Sequence, residues 1–133
     1  VIVIDSSAMV DALVDYPVKT DLMDLIAEQE LHAPALLDFE VTSAIRGHLL
    51  GKKLNESQID GVLGEFNSLR VRRYQMNGAL RHLLDLRDNF TTYDAAYVVL
   101  AKALNAPLLT ADVKMKTAQK FGVQVRIARN TDM

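Results

Sequence analysis

The apolar positions of the chain fall into short unbroken runs that alternate with stretches of helical spacing. Residues 1–4 (VIVI) are four β-branched positions in a row. A run with no polar position has no face to offer water, which is the mark of a strand covered on both sides. Asp5, Ser6 and Ser7 follow with helix-start chemistry. Met9, Val10, Leu13 and Val14 then recur at three- and four-residue spacing, so the first strand hands over to the first helix at Asp5. Pro17 interrupts that pattern. Val18, Leu22, Leu25 and Ile26 make a second amphipathic helix before a short strand over residues 31–33.

A third helix is predicted over residues 35–50, closed by Gly51 at the position after the C-cap. Asn55 opens a fourth, through Phe66. It carries Gly61 and Gly64 on one face, and each costs roughly 1 kcal/mol against alanine unless close packing, here expected within the fold, requires it. Residues 71–75, with arginines interleaved, form a short strand, residues 77–86 a fifth helix and residues 92–104 a sixth. Residues 108–110 make a strand, residues 114–121 a last helix and residues 123–127 a final strand. Apolar strands separated by helices describe an α/β fold: one doubly wound domain, with a parallel sheet flanked by helices on both sides. With 133 residues, half of them apolar and without internal repeat or linker, the chain has material for one core.

Composition narrows the chemistry. There is no cysteine, which removes disulfides, thiolate zinc sites and cysteine nucleophiles together and fits a reducing cytoplasm. The apolar stretch of residues 95–104 is broken by Lys102 and is far shorter than the roughly 20 residues of a membrane span. A strand-like run at Val1 leaves no signal core, so the expectation is a cytoplasmic protein without a membrane anchor. Net charge is only −2, but residues 1–66 hold twelve acids and four bases (net −8), and residues 67–133 hold five acids and eleven bases (net +6). Arg70, Arg72, Arg73, Arg81, Arg87, Lys114 and Lys116 are therefore candidates for contact with a nucleic-acid backbone, beside the ordinary reading of a solvated face. Aromatic residues are few, which argues against extensive base stacking.

Four carboxylates stand at junctions of this pattern. Asp5 ends an apolar run, Glu40 interrupts an apolar helix face, Asp94 opens a nearly all-apolar helix and Asp112 ends another apolar run. Singly, each has an ordinary explanation: Asp5 and Asp112 as helix caps, Asp94 as the third residue of a capping box begun by Thr91, and Glu40 through a distant cation such as Arg73. Together they fit the crevice of an open α/β sheet, beyond the carboxyl ends of the strands where the winding reverses. Two unit charges about 5 Å apart at an effective dielectric of about 20 repel by roughly 3 kcal/mol, so acids gathered there call for a divalent cation or for raised pKa values. Without cysteine or paired histidines, Mg²⁺ or Mn²⁺ suits the donors better than zinc. His32, His48 and His82 show no metal-ligand spacing and are assigned to surface or packing roles.

Residues 1–8 (VIVIDSSA), 39–45 (FEVTSAI), 91–100 (TTYDAAYVVL) and 107–112 (PLLTAD), in that order, resemble the PIN-domain ribonucleases, and among them the VapC-type toxins of bacterial toxin–antitoxin modules. The resemblance implies that Asp5, Glu40, Asp94 and Asp112 form the catalytic, metal-binding quartet, with Ser6 and Thr110 as supporting hydroxyls and a sheet in the order 3-2-1-4-5. It further implies an RNA substrate cut to a 5′-phosphate and a 3′-hydroxyl, a cognate VapB-like antitoxin and a homodimer. One departure stands out. Many relatives carry a further acid shortly after the fourth, whereas Val113, Lys114, Met115 and Lys116 follow Asp112 here. Two other readings remain: a catalytically silent PIN-like binding module, and a phosphoacceptor receiver domain, which would place adjacent acids after the first strand where this chain has Asp5, Ser6 and Ser7.

Overall fold

A computed structural model of the chain describes residues 1–14 and 20–128. Strand β1 (Ile2–Ile4) is followed by α1 (Ser6–Val14), α2 (Thr20–Glu28), β2 (Leu31–Pro34), α3 (Leu37–Leu50), α4 (Ile59–Ser68) and β3 (Val71–Tyr74). Next come α5 (Leu80–Asp85), α6 (Thr92–Leu104), β4 (Leu108–Thr110) and β5 (Val125–Ile127). Short 3-10 helices lead into α4 and α5, and a longer one, Val113–Phe121, joins β4 to β5. Pro17 and Val18, expected to separate and open the first two helices, lie outside the described residues, as does the side chain of Leu22.

All five strands are parallel, in the order β3-β2-β1-β4-β5. This is the expected doubly wound α/β sheet, and it differs from the 2-1-3-4-5 order of receiver-type domains. The strands carrying the apolar runs sit in the middle. Ile2, Val3, Ile4, Leu108 and Leu109 are all buried, whereas the edge strands β3 and β5 are partly exposed. Register pairs Val3 with both His32 and Leu108, and Ile4 with Leu109, so β1 and β4 end side by side. The chain winds outward from β1 through β2 to β3, then returns across the sheet to β4. That reversal between β1 and β4 opens the crevice at their carboxyl ends. Right-handed crossovers put α1–α4 on one face and α5 and α6 on the other, with α1 packed on α2, α3 and α4, and α6 lying over β1 and β2.

Several boundaries differ from the sequence reading. Helix α3 starts at Leu37 and not at residue 35, where the Ala35 N–H is still paired with the Tyr74 carbonyl at the end of β3, at 2.8 Å. Gly51 stands at the C-cap of α3 and not one position beyond it, with φ −83°; the left-handed residue is Lys52, at φ 60°. The last helix is 3-10 in type, beginning with a bond from the Met115 N–H to the Asp112 carbonyl. Close packing at Gly61 and Gly64 is not found: a Cβ at either position would meet nothing within 4 Å. Gly61→Ala and Gly64→Ala are therefore expected to raise stability by roughly 0.5–1 kcal/mol each in a denaturant titration, because alanine restricts the unfolded chain more than glycine does. A loss of stability would show that this face is occupied by another surface.

Candidate active site

Asp5 follows β1 directly and is only 6% exposed. Its Oδ1 accepts hydrogen bonds from the Ser7 hydroxyl at 2.7 Å and from the Ala8 N–H at 3.1 Å, and its Oδ2 accepts from Thr110 Oγ1 at 2.5 Å. The Ala8 bond makes Asp5 the cap of α1, as the ordinary explanation of this residue expects. Ser7 also accepts from the Ala111 N–H at 2.9 Å, and Thr110 from the Asp112 N–H at 3.0 Å. These bonds tie the ends of β1 and β4 into one unit around the carboxylate. Burial pushes the Asp5 pKa up, the three hydrogen bonds pull it down, and the nearby charge of Asp94 raises it further.

Asp94 sits in the first turn of α6, where its N–H donates to the side chain of the cap Thr91 at 3.1 Å. Its pKa is raised first by burial and then by the charge of Asp112, against the lowering influence of Thr91 and Lys114. Asp112 lies two residues beyond β4 and caps the following 3-10 helix by accepting from the Lys114 N–H at 3.0 Å. The Lys114 ammonium is 3.9 Å from its other oxygen. Three of the four predicted acids are thus electrostatically coupled at one end of the sheet, in the sequence Asp5, Asp94, Asp112.

Glu40 joins them differently. On the first turn of α3, it accepts a 2.6 Å hydrogen bond from the hydroxyl of Tyr97, a residue buried in α6 one turn beyond Asp94. The Tyr97 phenol is raised in pKa by burial, then by Glu40, and also by the charge of Asp5. It therefore stands between two of the acids. Arg73, the distant cation considered for Glu40, pairs with Asp38 instead: its Nε donates to both carboxylate oxygens at 2.9 Å. Among the described residues, no three carboxylate or imidazole groups are drawn together closely enough to encage an ion unaided. The donor set still fits a magnesium-like cation, which is usually bound through one or two carboxylates with water and substrate phosphate completing its shell.

Sequence reasoning missed two side chains. Ser7, not Ser6, donates to Asp5, while Ser6 lies beside the Tyr97 phenol. The role of Tyr97 was foreshadowed by its spacing of three from Asp94 on one helix face. Thr110 donates to the other oxygen of Asp5 from the end of β4. The basic residues do not converge on the acids as a group. Arg70 precedes β3, at the opposite end of the sheet, where it lines a cavity with Arg72 and Glu30. Arg81 pairs with Asp85, and Arg87 donates to the Leu84 carbonyl. Lys114 and Lys116 are exposed beside Asp112. His32 is buried on Tyr74 and His48 bonds to the Ala44 carbonyl, consistent with packing and surface roles.

The PIN domain family profile matches residues 2–120. The chain is 36% identical over 114 residues to the VapC ribonuclease Mb0985 of Mycobacterium bovis, covering 86% of this chain and 87% of that protein. It is 36% identical over 129 residues to ribonuclease VapC1 of Mycobacterium tuberculosis, covering 96% and 97%. Ribonuclease VapC12 of the same organism is 30% identical over 126 residues, covering 95% and 98%. Among solved structures, PAE2754 from Pyrobaculum aerophilum superposes with a TM-score of 0.69 over 93% of this chain and 89% of that one. At 18% identity, that likeness shows the fold alone.

The raised pKa of Asp94 sets a pH-dependent cost. The folded state holds the proton more tightly than the unfolded state, so stability falls as pH climbs from the ordinary aspartate value of 3.8 through the raised one. In metal-free buffer, Asp94→Asn should therefore melt a few degrees above wild type at neutral pH, with the difference vanishing below pH 3.8. Thermal melts across pH check this, and a variant that melts lower at neutral pH would contradict the electrostatic picture.

Proposed function

The chain belongs to the PIN-domain family, with VapC ribonucleases among its relatives, and on that premise we propose that it is a metal-dependent endoribonuclease acting as the toxin of a toxin–antitoxin module. The observation that carries the reading is the row of coupled aspartates at the β1/β4 crevice, with Asp5 buried and braced by two hydroxyls and a backbone N–H. Such a row repels a phosphodiester by itself and attracts one only through a cation. Asp5, Asp94 and Asp112 would hold Mg²⁺ or Mn²⁺, with Glu40 reaching the site from α3. A divalent ion there supplies a potent nucleophile at neutral pH and offsets charge on the departing oxygen.

The protein's own contribution is placement. Thr110 and Ser7 fix both oxygens of Asp5, which leaves their remaining lone pairs directed by the fold. Tyr97 donates its hydrogen to Glu40 and stays protonated, because burial and the surrounding carboxylates oppose its ionisation. It thereby holds Glu40 against α6 without adding a negative charge. Lys114 and Lys116, exposed on the 3-10 helix that follows Asp112, would meet the RNA backbone, and Arg72 lies farther out on the edge strand. Cleavage of RNA would stop translation, and a VapB-like antitoxin would cover the acidic cleft. The toxin reading carries with it a homodimer in the cytoplasm. Among the described residues, no helix is long and apolar enough to cross a membrane.

Incubation of the purified protein with total RNA should give cleavage with Mg²⁺ or Mn²⁺, none with chelator, and a loss of at least about 100-fold in Asp5→Asn. Mg²⁺ should also raise the melting temperature of wild type more than that of Asp5→Asn, because only a ligand held by the folded state stabilises it. Equal cleavage by both proteins would remove the active-site assignment. No cleavage by either, with intact folding, would favour the silent binding module.

A further inference from the structure

Beside the acids, on the same edge of the sheet, is a cavity of about 220 Å³. Its lining includes Tyr74, Gln75 and Met76 at the end of β3, Leu36 at the start of α3, and Tyr93 and Ala96 from the first turns of α6. Two of these residues adjoin the carboxylates through the chain. Tyr93 immediately precedes Asp94, and the Leu36 carbonyl accepts the 3.1 Å bond from the Glu40 N–H. The cavity and the acidic cleft therefore share the first turns of α3 and α6 as common walls. Tyr93 is 62% exposed, an aromatic ring standing in water at the mouth of this space.

We propose that this cavity is a nucleobase pocket that holds a base next to the scissile bond of single-stranded RNA, with Tyr93 as its stacking face. The proposal rests on the reading that an RNA phosphodiester lies at the aspartates. A base is joined to its phosphate through one sugar, so a ring adjacent to the phosphate site is where an aromatic face can catch it. The space exceeds the roughly 150 Å³ cavity known to hold benzene, leaving room for a planar heterocycle. Apolar walls, an aromatic face and a single amide at the rim are what unstacked bases bind: the ring supplies stacking, and Gln75 offers a donor and an acceptor to the base edge. Continuity with an acidic, cation-dependent cleft favours a nucleotide over an apolar side chain of a protein partner, which has no phosphate to place there. Only a base already out of a duplex can enter, so paired RNA is excluded from this site.

The test uses a short RNA that wild type cleaves, or failing that any short single strand, together with a set in which one nucleotide at a time is abasic. Binding is followed by fluorescence anisotropy in the wild-type background with Ca²⁺ in place of Mg²⁺, an oxygen-seeking cation that keeps the carboxylates occupied, so that the test does not depend on turnover or on a weakened metal site. One abasic position should weaken binding by about 10-fold, the scale of a single base–aromatic stack. Adding Tyr93→Ala should cause the same loss on intact RNA and make the protein indifferent to that abasic position, while Tyr93→Phe keeps full binding. In cleavage assays, the Tyr93→Ala effect should fall mainly on KM, and the exposed position should leave the melting temperature unchanged. Equal binding of all abasic strands, or Tyr93→Ala binding intact RNA as tightly as its parent, overturns the pocket. So does a Tyr93→Ala defect confined to binding the antitoxin, which would assign the cavity to a protein. Base-dependent binding without cleavage by wild type would keep the pocket and defeat the nuclease reading, so the two fail separately.

Discussion

The structure is organised around one costly placement, an aspartate buried at the point where the sheet reverses its winding. A carboxylate taken out of water and left near a second one is penalised in its charged form, and Asp5 carries both penalties. The fold answers with donors from three directions: the Thr110 hydroxyl from β4, the Ser7 hydroxyl from α1 and the Ala8 N–H. The two hydroxyls are themselves fixed by accepting bonds from the chain just after β4. The junction that makes the site is therefore also the junction that locks β1 to β4.

From that arrangement the other acids take their places. Asp112 leaves β4 at the same edge, and Asp94 enters from the helix that crosses over β1 and β2. Glu40 is held by a phenol and not by a cation, so the cluster keeps its negative charge undiluted on that side. Lys114 touches its outer member. Among the described residues, this asymmetry leaves the buried end free of neutralising charge and the exposed end bordered by basic residues.

Much of this could be read from the chain. The unbroken β-branched run at residues 1–4 admits no solvent face, so a strand covered on both sides followed from the pattern, and acids could be seen to follow both that run and the one at residues 107–110. The resemblance of the motifs at Asp5, Glu40, Asp94 and Asp112 supplied the strand order that the winding then bore out. What stayed hidden depends on angles that sequence does not fix. Whether the first or second serine of α1 faces Asp5 turns on how the helix leaves the strand, and the answer is Ser7. Glu40 has its partner 57 residues away, across a helix packing whose rotation no periodicity specifies. Arg73 goes to Asp38 because that acid, not Glu40, faces the edge strand. The two glycines of α4 point to open space, a fact invisible in a residue count.

Asp5 and Asp112 each perform two tasks with one side chain: an oxygen of each caps the start of a helix while the same group contributes to the charged cleft. The tasks respond differently to replacement. An amide still offers the oxygen that closes the first turn, but alanine offers none. Lineages pressed to disarm such a protein while retaining its shape have a narrow exit, through asparagine, at these positions.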